Sequence, residues 1–457
     1  MKKHCKDDFY NHSTEAQRDH KPDIGASADR IGVPSFAKLA MGSRVGNRLL
    51  LLCLALILAS AAGALAKPED EEHERKAKIL YIWAGDAARS APDFLAVVNF
   101  DESSKNYGKV IKTVPLPPPG NIGNEPHHMH LSADGNVLAC GGLLSLLSGQ
   151  NGIFFFDVSD PENPKFLSSA SAPHSSITDD FYPLPEGGFL ITQMGSETGG
   201  APGRIAEFDA DLQLVKEWPE NPPEDGFNPH GISVRPELNL MVTSDFVNPV
   251  TTLNLYHGDV ELRGSICVWD LAARSILRAV QIPSAIGTMD VKLIPGDPRG
   301  RALTAGMFDG FIYLVNTAQG TAQPVFDLAS ITGTSLAMPQ VLAMPESGDR
   351  LIFPLRQTGQ IVMLDVSKPQ EPTLLSVVDL GLDSGPHDID LTHDDKRLVV
   401  TDYFLDEDDF GKIHFDGDRK VHVLKVHKRK LELDERFELD FNTAFSRPAR
   451  PHGIATK

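Results

Sequence analysis

From Lys78 onward, short apolar runs of about five to eight residues follow one another, separated by Gly, Pro, Asp and Asn, the pattern of consecutive β-strands. Sustained helical periodicity is almost absent. One phrase recurs: a Pro-His opening, an alternating apolar strand, a turn and a second apolar strand. It reads "PHHMHLSADGNVLAC", "PHSSITDDFYPLPEGGFLIT", "PHGISVRPELNLMVTSD" and "PHDIDLTHDDKRLVVTD". Weaker copies without the histidine are "TMDVKLIPGDPRGRALTAG" and "MPQVLAMPESGDRLIFP". Each is followed by a third strand ending near Asp and a fourth, more polar one.

Four antiparallel strands recurring roughly every 45 to 65 residues are the pattern of a β-propeller. Units open near Pro126, Pro173, Pro229, Thr288, Met338 and Pro386. The segment from Ile79 to Pro117 holds strands two to four of a unit with no first strand, whereas "RPHGIATK" at the C-terminus is a lone first strand. The fragments complete each other, which predicts an all-β, seven-bladed β-propeller over residues 77–457, closed by the C-terminal strand joining the N-terminal blade. A β-sandwich pair is the competing fold, and it leaves the complementary ends unexplained. Inserts in units four ("FVNPVTTLNLYHGDVELRG") and seven ("YFLDEDDFGKIHFDGD") fall at equivalent places and are expected on one face of the ring.

Ahead of the propeller, Arg44 and Arg48 flank the apolar run that closes on Ala64-Leu65-Ala66, an A-x-A pattern before the polar "KPEDEEHERK". A positive flank, an apolar centre and a small-residue exit describe an export signal over residues 41–66, with cleavage after Ala66. The reading implies a periplasmic or secreted protein with no stable membrane span after cleavage; an uncleaved anchor is the alternative. Residues 1–40 then form a polar extension or lie upstream of a start at Met41, and residues 67–76 form a charged linker.

Composition narrows the partners. The 457 residues are 41% hydrophobic and 23% charged, with a formal net charge of -19. Apart from "KVHKRK" there is no basic patch, so nucleic acid is not an expected partner. Cys5 and Cys53 would leave with the leader. Cys140 and Cys267 remain in apolar strands, as two buried free thiols rather than a disulfide framework.

In a propeller the first strand of each blade lines the central channel. The openings therefore place His127, His128, His130, His174, His230, His387 and His452 around one mouth. Imidazoles in such number suit Cu, Zn, Fe or Ni. A histidine that only hydrogen-bonds the next blade's backbone is the alternative for any one of them. Strand alternation puts His128 and His130 on one face, with His127 and Met129 on the other. The expected ligand set is thus three or four of the aligned His127, His174, His230, His387 and His452, supplemented by His128 or His130. Asp388 could orient His387, and the methionines near the strands read as core filler rather than copper ligands. No nucleophile motif, phosphate loop, dinucleotide fingerprint or calcium loop is present.

The blocks "APDFLAVVNFDESSKNYGKVIKTVPLP", "HHMH", "GFNPHGISVRPELNLMVTSDFVNP" and "GSICVWDL" resemble the selenium-binding protein family, whose members include methanethiol oxidases. The resemblance implies a seven-bladed propeller. For exported bacterial members it implies a copper-dependent oxidase converting methanethiol, oxygen and water to formaldehyde, hydrogen sulfide and hydrogen peroxide. Its substrates would be a small thiol and O2. Animal members carry a Cys-x-x-Cys pair shortly after the paired histidines; here "HLSADGNVLACGG" has only Cys140, so selenium binding is not carried over. A non-enzymatic metal- or partner-binding propeller is the second reading. A lactonase-like hydrolase is the third, and it would call for oxygen ligands where histidines stand.

Overall fold

The computed structural model describes residues 76–223, 226–252, 259–283, 287–407 and 413–457. The expectations for the extension, the signal and most of the linker lie outside the described residues. Among those described, no helix is long and apolar enough to cross a membrane.

The strands form a seven-bladed propeller. The inner strands are Ala449–Thr456 in blade 1, Pro126–Leu131 in blade 2, Ser175–Pro183 in blade 3, Pro229–Arg235 in blade 4, Thr288–Leu293 in blade 5 and Pro386–Leu391 in blade 7. In blade 6 the inner strand is reduced to isolated bridges, Pro339 to Leu355 and Ala343 to Ile352. Opposite it, Pro354 accepts from the Gln340 amide at 3.1 Å but has no amide of its own to return the bond.

Strand alternation builds the ring. Leu80, Ile82 and Ala84 pack with Val399 and Val423 of blade 7, whereas Ile79, Tyr81 and Trp83 pack with Leu138, Phe154 and Phe156 of blade 2. The same division recurs at the other blade interfaces. Each blade therefore buries both faces, and the ring itself is the core.

Closure is as the terminal fragments predict. Ala449–Thr456 pairs antiparallel with Ile79–Asp86, aligning Leu80 with Thr456 and Ala84 with Pro451. Ile79 and Lys457 exchange backbone hydrogen bonds of 2.8 and 2.9 Å. Arg450 forks onto the buried Glu125 carboxylate at the start of blade 2, tying the last strand to the second blade as well as the first.

The Pro-His-Gly phrase has a steric basis. A Cβ at Gly453 would lie 2.3 Å from the carbonyl oxygen of His127, and one at Gly231 would lie 2.3 Å from Asp290 Oδ1. The inner strands crowd around the axis so closely that only glycine fits these two positions. Cys140 and Cys267 are buried and unpaired, as anticipated.

Candidate metal centre

The inner strands share a backbone irregularity. Register slips between Pro126 and Met129, Thr178 and Phe181, Pro229 and Ile232, and Thr288 and Val291, and again in the strands carrying Pro386 and Pro451. Each slip is a bulge that turns side chains toward the axis. The first residue of each bulge, with Gln340 beside the Pro339 bridge in blade 6, forms one ring: His452, His127, Asp179, His230, Met289, Gln340 and His387, in blade order.

This register corrects two expectations. Alternation was expected to keep His127 and His128 on opposite faces, but the bulge brings both inward. Their rings stack with centroids 4.2 Å apart. In blade 3 the aligned residue is Asp179 rather than His174. His174 precedes the strand and is exposed, with its backbone N–H on the Glu217 carboxylate at 3.0 Å. His130 is also outside the cluster. It faces a 450 Å³ cavity in the channel beyond the ring, together with Asp180, Asp388, Asp390 and Lys292. Two of that cavity's carboxylates act as clips between blades: Asp180 accepts from the Ile232 amide and Asp290 from the Leu342 amide.

The cluster that does form contains His127, His128, His387 and His452, all buried, each offering a nitrogen within 4.8 Å of the others. A second group, His127, Asp179 and His230, shares a residue with it. Hydroxyls of the neighbouring second strands fix the backbone beneath: Thr192 donates to the His230 carbonyl at 2.6 Å and Thr401 to the His452 carbonyl at 2.5 Å. Ser244 does the same for Met289 at 2.7 Å.

Asp179, fully buried, organises one side. Its Oδ2 lies 3.0 Å from His127 Nε2, and its Oδ1 lies 3.1 Å from His128 Nδ1 and 3.0 Å from His230 Nδ1. The His230 contact is an ion-pair approach without hydrogen-bond geometry. Burial alone would raise the Asp179 carboxyl, but His230, His128 and His127 outweigh it and hold the group well below the usual carboxylate range. Burial also opposes charge on His128, yet the Asp179 and Asp388 carboxylates dominate and raise it to about 9. His127 is pushed down to about 4 by burial and by charge on His128. Burial, reinforced by the surrounding imidazoles, puts His387 and His452 well below the ordinary histidine range.

These residues fit a metal ion by an observation of their own. Both ring nitrogens of His452 and Nδ1 of His127 are buried without a hydrogen-bond partner. Orphaned buried nitrogens are costly unless something binds them. His128 Nε2 and His387 Nε2 approach to 3.3 Å, about the span of two nitrogens tetrahedrally placed on one ion ~2.0 Å away. An all-nitrogen set, with carboxylate support behind two imidazoles, suits copper or zinc better than a hard cation.

An apolar collar surrounds this centre. Tyr403 lies against His452, centroids 4.1 Å apart, and Phe246 against His230 at 5.2 Å. Both open the inserts of blades 7 and 4, directly after strand residues paired with Pro386 and Pro229, so the two inserts leave from the histidine face. Leu143, Leu144, Ile177 and Met194 join Tyr403 and Phe246, and Met289, Met307 and Met338 continue the collar beyond Phe246.

Residues 60–457 match the sequence profile of the 56 kDa selenium binding protein family (SBP56). The chain belongs to this family. The selenium-binding protein fold agrees with a solved structure of a hypothetical selenium-binding protein from Sulfolobus tokodaii, TM-score 0.70 at 17% identity, covering 85% of this chain and 96% of that one. Curated relatives include a methanethiol oxidase from Hyphomicrobium sp, 24% identical over 77% of this chain and 80% of that protein. A Homo sapiens methanethiol oxidase is 24% identical over 80% of this chain and 89% of its own length. A Mus musculus protein named selenium-binding protein 2 is similar to the same extent, 24% over 80% and 89%.

Sequence reasoning missed Asp179 and Gln340. Strand pairing, which no spacing of Pro-His dipeptides reveals, places both in the ring. The "TDD" of blade 3 and the "MPQ" of blade 6 are its only traces in the chain.

Proposed function

We propose that this member of the selenium-binding protein family is an exported, copper-dependent oxidase of a small thiol. His127, His128, His387 and His452 would hold the metal. The observation that carries the reading is the pair of unpartnered nitrogens on buried His452, set among three other imidazoles. The name methanethiol oxidase, borne by relatives, supplies the substrate class, and the reaction proposed is the one the family resemblance implies, methanethiol with O2 and water giving formaldehyde, hydrogen sulfide and hydrogen peroxide. Copper, when bound, supplies affinity for thiolate sulfur and electron transfer.

The chain's own residues would do the rest. Asp179 orients His127 and His128 from behind and balances charge at the centre. The collar of Phe246, Tyr403 and the aliphatic side chains gives a methyl group an apolar surface and keeps water from the imidazoles. Export is supported by the A-x-A exit after the apolar run that ends at Ala66. The test is methanethiol-dependent peroxide release by copper-loaded protein, with chelator-treated protein as control. Equal rates in both, or none in either, contradict the reading. Stoichiometric copper without turnover favours the binding-only propeller.

A further inference from the structure

Blade 6 lacks the Pro-His opening, and its ring position is taken by Gln340, which is fully buried. The Gln340 Nε2 donates to the Met338 carbonyl at 2.8 Å, so the amide has one orientation and its Oε1 points the other way. That oxygen lies 2.8 Å from His387 Nδ1. An amide oxygen only accepts, so His387 carries its proton on Nδ1.

The contact on the other side of the ring agrees. His387 Nε2 and His128 Nε2 are 3.3 Å apart, and one must donate. With the proton of His387 on Nδ1, its Nε2 is the acceptor and His128 the donor. His128 also has Nδ1 on Asp179, so it sits between a carboxylate and a neutral imidazole.

We infer that Gln340 is a positioning residue that fixes His387 as its Nδ1–H tautomer and so aims the Nε2 lone pair into the centre. It is the counterpart, on the opposite side, of Asp179 behind His127 and His128. A neutral amide does this without adding a second negative charge to the buried site. A glutamate there would give the centre two carboxylates, and a histidine would bring a further nitrogen whose own tautomer needed fixing. The inference rests on the proposed metal reading for its purpose, though the tautomer exists without metal.

The test uses full-length metal-free protein labelled with 15N-histidine, the His387 signals being assigned by their loss in His387→Ala. Wild type is expected to show a protonated Nδ1 and an unprotonated Nε2. Gln340→Met keeps the shape and removes the acceptor. It should shift the proton toward Nε2, weaken copper(II) binding about 10- to 100-fold in chelator competition, and change the copper(II) EPR spectrum. Gln340→Glu restores an acceptor and should keep the Nδ1–H tautomer, while its added charge changes the copper(II) affinity. A wild-type His387 protonated on Nε2, or a Gln340→Met variant with unchanged tautomer, overturns the inference. Wild type that binds no copper but shows the Nδ1–H tautomer contradicts the metal reading and leaves the positioning role standing.

Discussion

His128 and His387, 259 residues apart in sequence, bring their Nε2 atoms to 3.3 Å across the channel. One comes from blade 2 and the other from blade 7, with the C-terminal strand of blade 1 between them. The contact therefore exists only in the closed ring. Behind it stand Asp179 on one side and Gln340 on the other, so a line of hydrogen bonds crosses the axis from blade 3 to blade 6.

In metal-free protein His127 and His128 shift stability in opposite directions with pH. The folded pKa of His127, about 4, is below the unfolded value, so its contribution is lost as pH falls from about 6.5 toward 4. His128 has the opposite sign: raised to about 9, it contributes fully below pH 6.5 and loses that contribution as pH rises through 9. Urea midpoints of chelator-treated wild type and His128→Gln at pH 5, 6.5 and 9 separate the two contributions. In His128→Gln the alkaline decline should flatten while the acid decline remains.

Asp179→Asn removes the charge shared by three imidazoles while keeping its size. Copper affinity should fall about 10- to 100-fold, as when other carboxylates that support metal-bound histidines are lost. Chelator competition checks this, and an unchanged affinity would show that the carboxylate does not orient the ligands.

The ring's closure depends on Arg450 and Glu125, both buried. Arg450→Met leaves the carboxylate without its forked partner, with Arg89 Nε 3.9 Å away as the remaining cation. Removal of one member of a buried pair typically costs about 3–5 kcal/mol. Chemical denaturation should show a loss of that order, and Arg450→Met/Glu125→Gln should recover part of it.

The collar predicts a preference for uncharged thiols. Phe246→Ala opens the surface facing His230. Burial of one methyl is worth about 0.8 kcal/mol, roughly fourfold, so kcat/KM for methanethiol should fall by up to about that factor. Discrimination against cysteine, whose charged groups gain nothing from the collar, should narrow at the same time. Parallel steady-state assays of the two thiols decide it.

Blade number, closure and the shared mouth were legible in the chain because a propeller repeats one apolar pattern and leaves complementary halves at its termini. The ligand set was less so, for physical reasons visible in particular residues. His174 shares the Pro-His phrase but precedes its strand, and the blade 3 bulge falls later, at Thr178 to Phe181, presenting Asp179. His128 escapes strict alternation because the bulge gives blade 2 an extra inward residue where Gly231 and Gly453 stand elsewhere. Gln340 has no histidine to mark it, and it enters the ring only through the bridge of Pro339 to Leu355 beside it, its own amide donating to the Pro354 carbonyl at 3.1 Å.

The proposed metal centre is built by imidazoles from blades 1, 2 and 7. Its most direct test is copper bound per chain, measured by elemental analysis after equilibrium dialysis, in wild type and in His387→Ala/His452→Ala. About one tightly held ion is expected in wild type and none in the double variant, with the variant's β-sheet circular dichroism unchanged. Wild type without copper, or a double variant that retains it, would rule out a copper centre on these imidazoles.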